Sequence, residues 1–233
     1  VGYRVSGALK LALTEDDELS LRRLLDGQRA AGLRAEWLGG QGAHAVEPTV
    51  RESVRGAAYF PDDGQVDPPR LVAALTVAAQ ESGVEVHAPE NGRRLLLEGD
   101  RCRGVETDRG RLLADAVVLA AGSWASLVPG VPSAVQVRPV RGQMLELREV
   151  RPALRTVLVG PGAYAVPRGE GRVVCGSTME DVGHAPGVTA AGLRKILDGV
   201  LAYAPELGAA TVERTWSGFR PASSTGLPLV GPS

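Results

Sequence analysis

Apolar and polar residues alternate over residues 6–13 (SGALKLAL), a period of two that predicts a β-strand. Thr14-Glu15-Asp16-Asp17 follows with a capping hydroxyl and an acidic first turn, so the chain is predicted to turn helical there. Leu21, Leu24, Leu25 and Ala31 then recur at helical spacing, and Gly32 stands where a left-handed cap ends such a helix. Residues 36–38 read as a short strand and 43–47 as a turn of helix stopped by Pro48. A strand at 56–60 gives way to turn chemistry in Pro61-Asp62-Asp63-Gly64. Asp67-Pro68-Pro69 opens a second long helix, with prolines where a missing N–H costs nothing. Leu71, Leu75 and Ala78 share a face of it, Gly83 ends it, and 84–87 is the next predicted strand.

Short strands at 95–97, 102–107 and 111–114 lead into residues 115–124, DAVVLAAGSW. Val117, Val118 and Leu119 suit a strand covered on both faces, and Ala120-Ala121-Gly122 at its carboxyl end lets the backbone approach a ligand closely. In α/β proteins ligands sit at that end of the sheet. Residues 129–132 predict a crossing between domains. Beyond them the texture becomes strands, at 137–147, 156–159, 164–166, 173–175 and 211–216. One helix over 189–203 interrupts them, with Leu193, Ile196, Leu197, Val200 and Leu201 on its apolar side. The expected class is α/β, with an α+β part built on a mixed, mainly antiparallel sheet.

The 233 residues, 44% of them hydrophobic, are enough for one large domain or two small ones. A formal net charge of -1 with interspersed signs leaves no footprint for nucleic acid or an anionic membrane, and no apolar run is long enough to span one. Cys102 and Cys175 stand far apart, so two buried, reduced thiols and a cytoplasmic location are expected rather than disulfides or zinc. His44, His87 and His184 fall in no metal-ligand spacing, and no metal is expected.

Two segments match the GxGxxA form of the dinucleotide fingerprint, at Gly40/Gly42/Ala45 and Gly160/Gly162/Ala165. A phosphate loop needs a strand, a tight turn and then a full helix. The first match runs into Pro48 and the second into YAVPR, so both are read as turns. No GxSxG supports a nucleophilic hydrolase. Glu180, Asp181 and His184 read as a solvated polar loop.

The informative constellation is YAVPRGEGRVVCGSTMEDVG with WSGFRPASSTGLPLVG, preceded by SGALKLAL, FPDDGQVDPPRLV, DAVVLAAGSW and PVRGQML. In this order and spacing the chain resembles the FAD-dependent glycine oxidase and D-amino-acid oxidase family over essentially all its length, with thiamine-biosynthesis glycine oxidases the most similar. The resemblance implies a substrate domain at 1–60 and 129–219, the central part of a Rossmann-like FAD-binding domain at 61–128, and the start of a return to it at 220–233. It implies that Arg220 pairs with a substrate carboxylate, that Tyr164 contacts that carboxylate, and that Met179 lines the pocket. Ala120, Ala121, Gly122 and Trp124 would run beside the flavin dinucleotide, and Gly92 would lie near the adenine. The guanidinium of Arg220, the phenol of Tyr164 and the 120–122 exit are expected to face one hollow.

The implied reaction is oxidative deamination of glycine or another small amino acid, with oxygen as acceptor. A D-amino-acid dehydrogenase, a sarcosine-type oxidase and a non-catalytic binding module are the alternatives, and homo-oligomers are possible. Against the family pattern, the chain is expected to begin after the GxGxxG unit and stop before a closing arm, so poor retention of FAD is expected.

Overall fold

The computed structural model describes residues 2–149, 151 and 153–231. They divide into two compact units. The first takes in residues up to Val77, Gly142–Thr178 and Gly187–Ser217; the second takes in Ala78–Arg141, Met179–Pro186 and residues from Gly218.

The strands and helices, in chain order, are β1 (Arg4–Val5), β2 (Ala8–Ala12), α1 (Glu15–Ala30), β3 (Glu36–Gly39), α2 (Gly40–Val46), β4 (Gly56–Phe60), β5 (Gly64–Gln65) and α3 (Pro68–Glu81). Then come β6 (Gly92–Glu98), β7 (Arg101–Thr107), β8 (Arg111–Leu113), β9 (Val137–Arg148), β10 (Val157–Gly160), β11 (Ala163–Gly169), β12 (Arg172–Gly176), α4 (Ala190–Leu201) and β13 (Thr211–Ser223).

The first unit is built on a sheet ordered β13-β9-β12-β11-β10-β2-β4-β3. Its β2–β10 pair is parallel, while β10–β11, β11–β12, β12–β9, β2–β4 and β3–β4 are antiparallel, the expected mixed sheet. Register sorts the side chains. Leu9 and Leu11 stand opposite Tyr59 and Ala57, and Ala165 opposite Cys175 opposite Leu145, so this set shares one face. On it they bury with Ile196 and Val200 of α4 and with Tyr203. Lys10 and Trp37 flank Ala58 on the other face, where Leu25 of α1, Ala35 and Phe60 close a smaller cluster. Helices on both faces explain why β2 is buried on both sides.

Helix α1 starts where Thr14 and Asp17 form a reciprocal capping box. It ends with Gly32 at φ 78, where Gly32 N–H donates to Arg29 O and Leu33 N–H to Gln28 O, the paired bonds of a left-handed cap. Thr189 caps α4 through Gly192 N–H.

Neither fingerprint match is a phosphate loop. The first lies inside α2 rather than in a turn, and a Cβ at Gly40 would sit 2.3 Å from the carbonyl oxygens of Glu52 and Val54. The second spans the β10–β11 connection, where a Cβ at Gly160 would stand 2.2 Å from the buried ring of Tyr203. Packing against backbone and ring requires these glycines.

The second unit contains the antiparallel sheet β6-β7-β8 and a 3₁₀ turn over Gly122–Leu127. Two strand expectations fail here. Residues 84–88 and 116–121 carry no strand, and Val118 is 89% exposed rather than buried. Their apolar runs suit a strand, yet a strand exists only by pairing, and no described residue pairs with either stretch. Cys175 is buried as expected, whereas Cys102 is only half-buried.

Candidate functional site

A cavity of about 680 Å³ lies within the second unit. Three stretches wall it: Leu119, Ala120 and Gly122 before and in the 3₁₀ turn; Val135, Val137 and Val140 around the start of β9; and Arg220–Ser223 with Gly226–Leu229 around the end of β13. Met179 adds a fourth side. Among these lining residues Arg220, which is half-buried, is the one charged side chain. A guanidinium among aliphatic walls can hold a carboxylate through charge-assisted bonds.

Small residues shape the wall. Gly122 holds φ +55, a conformation that disfavours side chains, and nothing lies within 4 Å of the Cβ it lacks; Gly226, at φ +74, is equally open. Both leave backbone accessible to a flat ligand edge. Ser126 fixes the turn against β9, its hydroxyl accepting from Val137 N–H at 2.7 Å and lying 2.9 Å from Val135 O.

Met179 is carried on the loop Met179–Pro186, which is mostly exposed as its polarity suggests, although Glu180 and His184 within it are half-buried and engaged. Arg141 of β9 is buried and pairs with Glu180 through Nε at 2.8 Å and through Nη2. Its Nη1 donates to Ala185 O at 3.0 Å. Arg141 and Glu180 also exchange backbone bonds of 2.9 and 3.0 Å as an isolated antiparallel bridge. Further along the loop, His184 stacks on Trp124 with centroids 5.3 Å apart, and Phe219 meets both rings edge-on. The pairing was invisible in the sequence because Arg141 and Glu180 stand 39 positions apart. The signal available was that each falls in a segment carrying the resemblance, PVRGQML and STMEDVG.

Of the expected site residues, Arg220, Met179, Ala120 and Gly122 come together on this cavity. Ala121 caps the 3₁₀ turn without lining the cavity, and Trp124 belongs to the aromatic stack. Gly92 opens β6 opposite Thr107 and does not line the cavity either. Tyr164 belongs to the first unit, on the face of β11 turned away from Ala163 and Ala165. Its hydroxyl lies 3.5 Å from Met144 Sδ, and a Cβ at Gly176 would come within 2.7 Å of that oxygen, so the glycine leaves room for the phenol.

The family model for FAD dependent oxidoreductases (DAO) matches residues 1–233. The chain belongs to this family. It is 35% identical over 226 residues to the bifunctional protein ThiO/ThiG of a Nostoc species, covering 91% of this chain and 34% of that protein. It is 31% identical over 233 residues to the hydrogen cyanide synthase subunit HcnC of Pseudomonas protegens, covering 99% of the chain and 56% of the subunit. The crystal structure of glycine oxidase from Geobacillus kaustophilus superposes with a TM-score of 0.92 at 32% identity, covering 100% of this chain and 63% of that one. The chain thus spans between about a third and two thirds of the length of these relatives. Among the described residues no helix is long and apolar enough to cross a membrane, and no cluster of metal-ligating side chains occurs.

Proposed function

We propose that the longer protein carrying this chain oxidises glycine or another small or N-methylated amino acid, passing electrons through FAD to oxygen. The observation that carries this reading is the cavity, with Arg220 as its one charged lining residue and the backbone of Ala120 and Gly122 on its wall. The relatives named ThiO and glycine oxidase favour glycine as substrate and a place in thiazole formation for thiamine.

The residues fit such a cofactor, since the open space at Gly122 and Gly226 would accept the edge of a flat ring system. FAD, when bound, would take a hydride from the amino acid's α-carbon. The chain's own part is to bind and orient. The Arg220 fork holds the carboxylate in two parallel charge-assisted bonds, which fixes the direction of the α-hydrogen. Met179 walls the space for the side chain. The cavity's lining offers no acid or base, which suits a substrate bound as the neutral amine, whose loss of hydride from the α-carbon leaves an iminium that water hydrolyses.

A second reading is a D-amino-acid dehydrogenase or sarcosine-type oxidase with another electron acceptor. Production of hydrogen peroxide with glycine supports the first; turnover only with an artificial acceptor supports the second. For the 233 residues by themselves, purified protein should show no stoichiometric flavin absorbance, and a stoichiometric FAD spectrum overturns that statement. If instead the chain is a binding module, glycolate should bind it without flavin in a way that Arg220→Ala abolishes.

A further inference from the structure

We propose that Arg141 and Glu180 are positioning residues of the cavity, a clamp that fixes Met179 as its wall. The inference rests on reading this cavity as the substrate site, and its test uses no ligand, so the two can fail separately.

One guanidinium ties both ends of the Met179–Pro186 segment. Nε and Nη2 of Arg141 hold the Glu180 carboxylate, next to Met179, and Nη1 reaches Ala185 O near the other end. Three directed donors in a fixed plane can do this; a lysine ammonium, a single point charge on a flexible stem, cannot span both. Arg141 is buried and the Glu180 side chain is only 23% exposed, so the pair is shielded from the water that weakens surface ion pairs. Val140 lines the cavity beside Arg141, and Met179 lines it beside Glu180, so the clamp joins two of its walls. Arg138, three residues before Arg141 on the same strand, and Asp181, next after Glu180 on the loop, make a similar pair at 2.9 Å but stand largely exposed. They provide the internal control. Met179 itself is mostly exposed, and packing alone does not hold it.

The chain has two methionines, Met144 in the first unit and Met179 in the second, so ¹³C-methyl methionine labelling gives two NMR signals with one as reference. Glu180→Gln and Arg141→Lys should each move the Met179 methyl signal by more than its linewidth while the Met144 signal stays in place. Arg138→Gln should move neither. The exchanged double variant Arg141→Glu with Glu180→Arg should bring the Met179 signal part of the way back. A Met179 signal unmoved by both Glu180→Gln and Arg141→Lys, or displaced as far by Arg138→Gln, overturns the clamp. If Glu180→Gln unfolds the chain, both signals collapse together, and the milder Arg141→Lys then decides the outcome alone.

Discussion

The two units differ in what holds them. Every member of the two buried hydrophobic clusters lies in the first, on a sheet covered by helices on both faces. Among the described residues of the second, Ala125 and Val140 are the buried apolar side chains, while Val84, Leu113, Val118, Leu229 and Val230 stand open. At roughly 25 cal/mol per Å² of apolar surface buried, the first unit draws its stability from its core. The second is organised by the Arg141–Glu180 clamp, the Trp124–His184–Phe219 stack and the turn held by Ser126. A well-packed unit therefore accompanies one in which directed contacts shape a cavity.

The largest effects should separate the two. Leu145→Ala or Ile196→Ala removes a fully buried side chain of the first unit and should cost about 2–5 kcal/mol in denaturant unfolding. Val118→Ala should stay within about 0.5 kcal/mol. Equal losses at the two places would erase the contrast.

Glu47 is next in size. Its buried carboxylate accepts from Thr49 Oγ1 at 2.9 Å, Arg155 N–H at 2.7 Å, Thr156 N–H at 3.0 Å and Thr49 N–H at 3.3 Å, binding two loops of the first unit. Glu47→Gln removes the charge and should cost about 1.5–3 kcal/mol by the same measurement.

Thiol chemistry reads the contrast directly, because each unit holds one cysteine. Burial pushes the Cys175 thiol up to about 12, so at mildly alkaline pH its reactive thiolate is scarce as well as shielded. Iodoacetamide should label half-buried Cys102 in the native chain and reach Cys175 only after unfolding. Labelling of Cys175 at the same rate as Cys102 would mean that the first unit opens as readily as the second.

The smallest effect is at the start of α1. Thr14→Ala removes the capping hydroxyl and should cost about 1 kcal/mol. Partial burial works to raise the Asp17 carboxyl, but the hydrogen bonds it shares with Thr14 and Leu13 outweigh that and hold it below its ordinary 3.8. A carboxylate lowered on folding stabilises above its unfolded value, and that contribution disappears as pH falls through the folded one. Asp17→Asn should therefore flatten the acid limb of the stability curve slightly, with little change when both proteins are compared fully protonated.

What the sequence made legible follows the same division. Capping residues and helical or strand periodicity identified α1, α4 and the strands of the first sheet, because there local pattern and tertiary burial agree. The stretches at 84–87 and 115–122 have strand composition but lack pairing partners, which no local pattern reports. Glu180 and His184 looked solvated because their polarity is local information, whereas Arg141 and Trp124, which engage them, are distant in sequence. Arg220 and Met179 are reached through family resemblance, Ala120 and Gly122 also through the run of small residues that ends the apolar stretch, and all four line the cavity. Gly92, whose surrounding PENGRR fits the family pattern poorly, is absent from its lining.

The most direct measurement is anaerobic addition of glycine to the flavin-loaded longer protein carrying this chain, followed by the flavin absorbance band. The band should bleach in the parent and persist in Arg220→Ala at the same glycine concentration. Bleaching that Arg220→Ala leaves untouched, or a parent whose band glycine does not change, would contradict the assignment of this cavity as the amino-acid site.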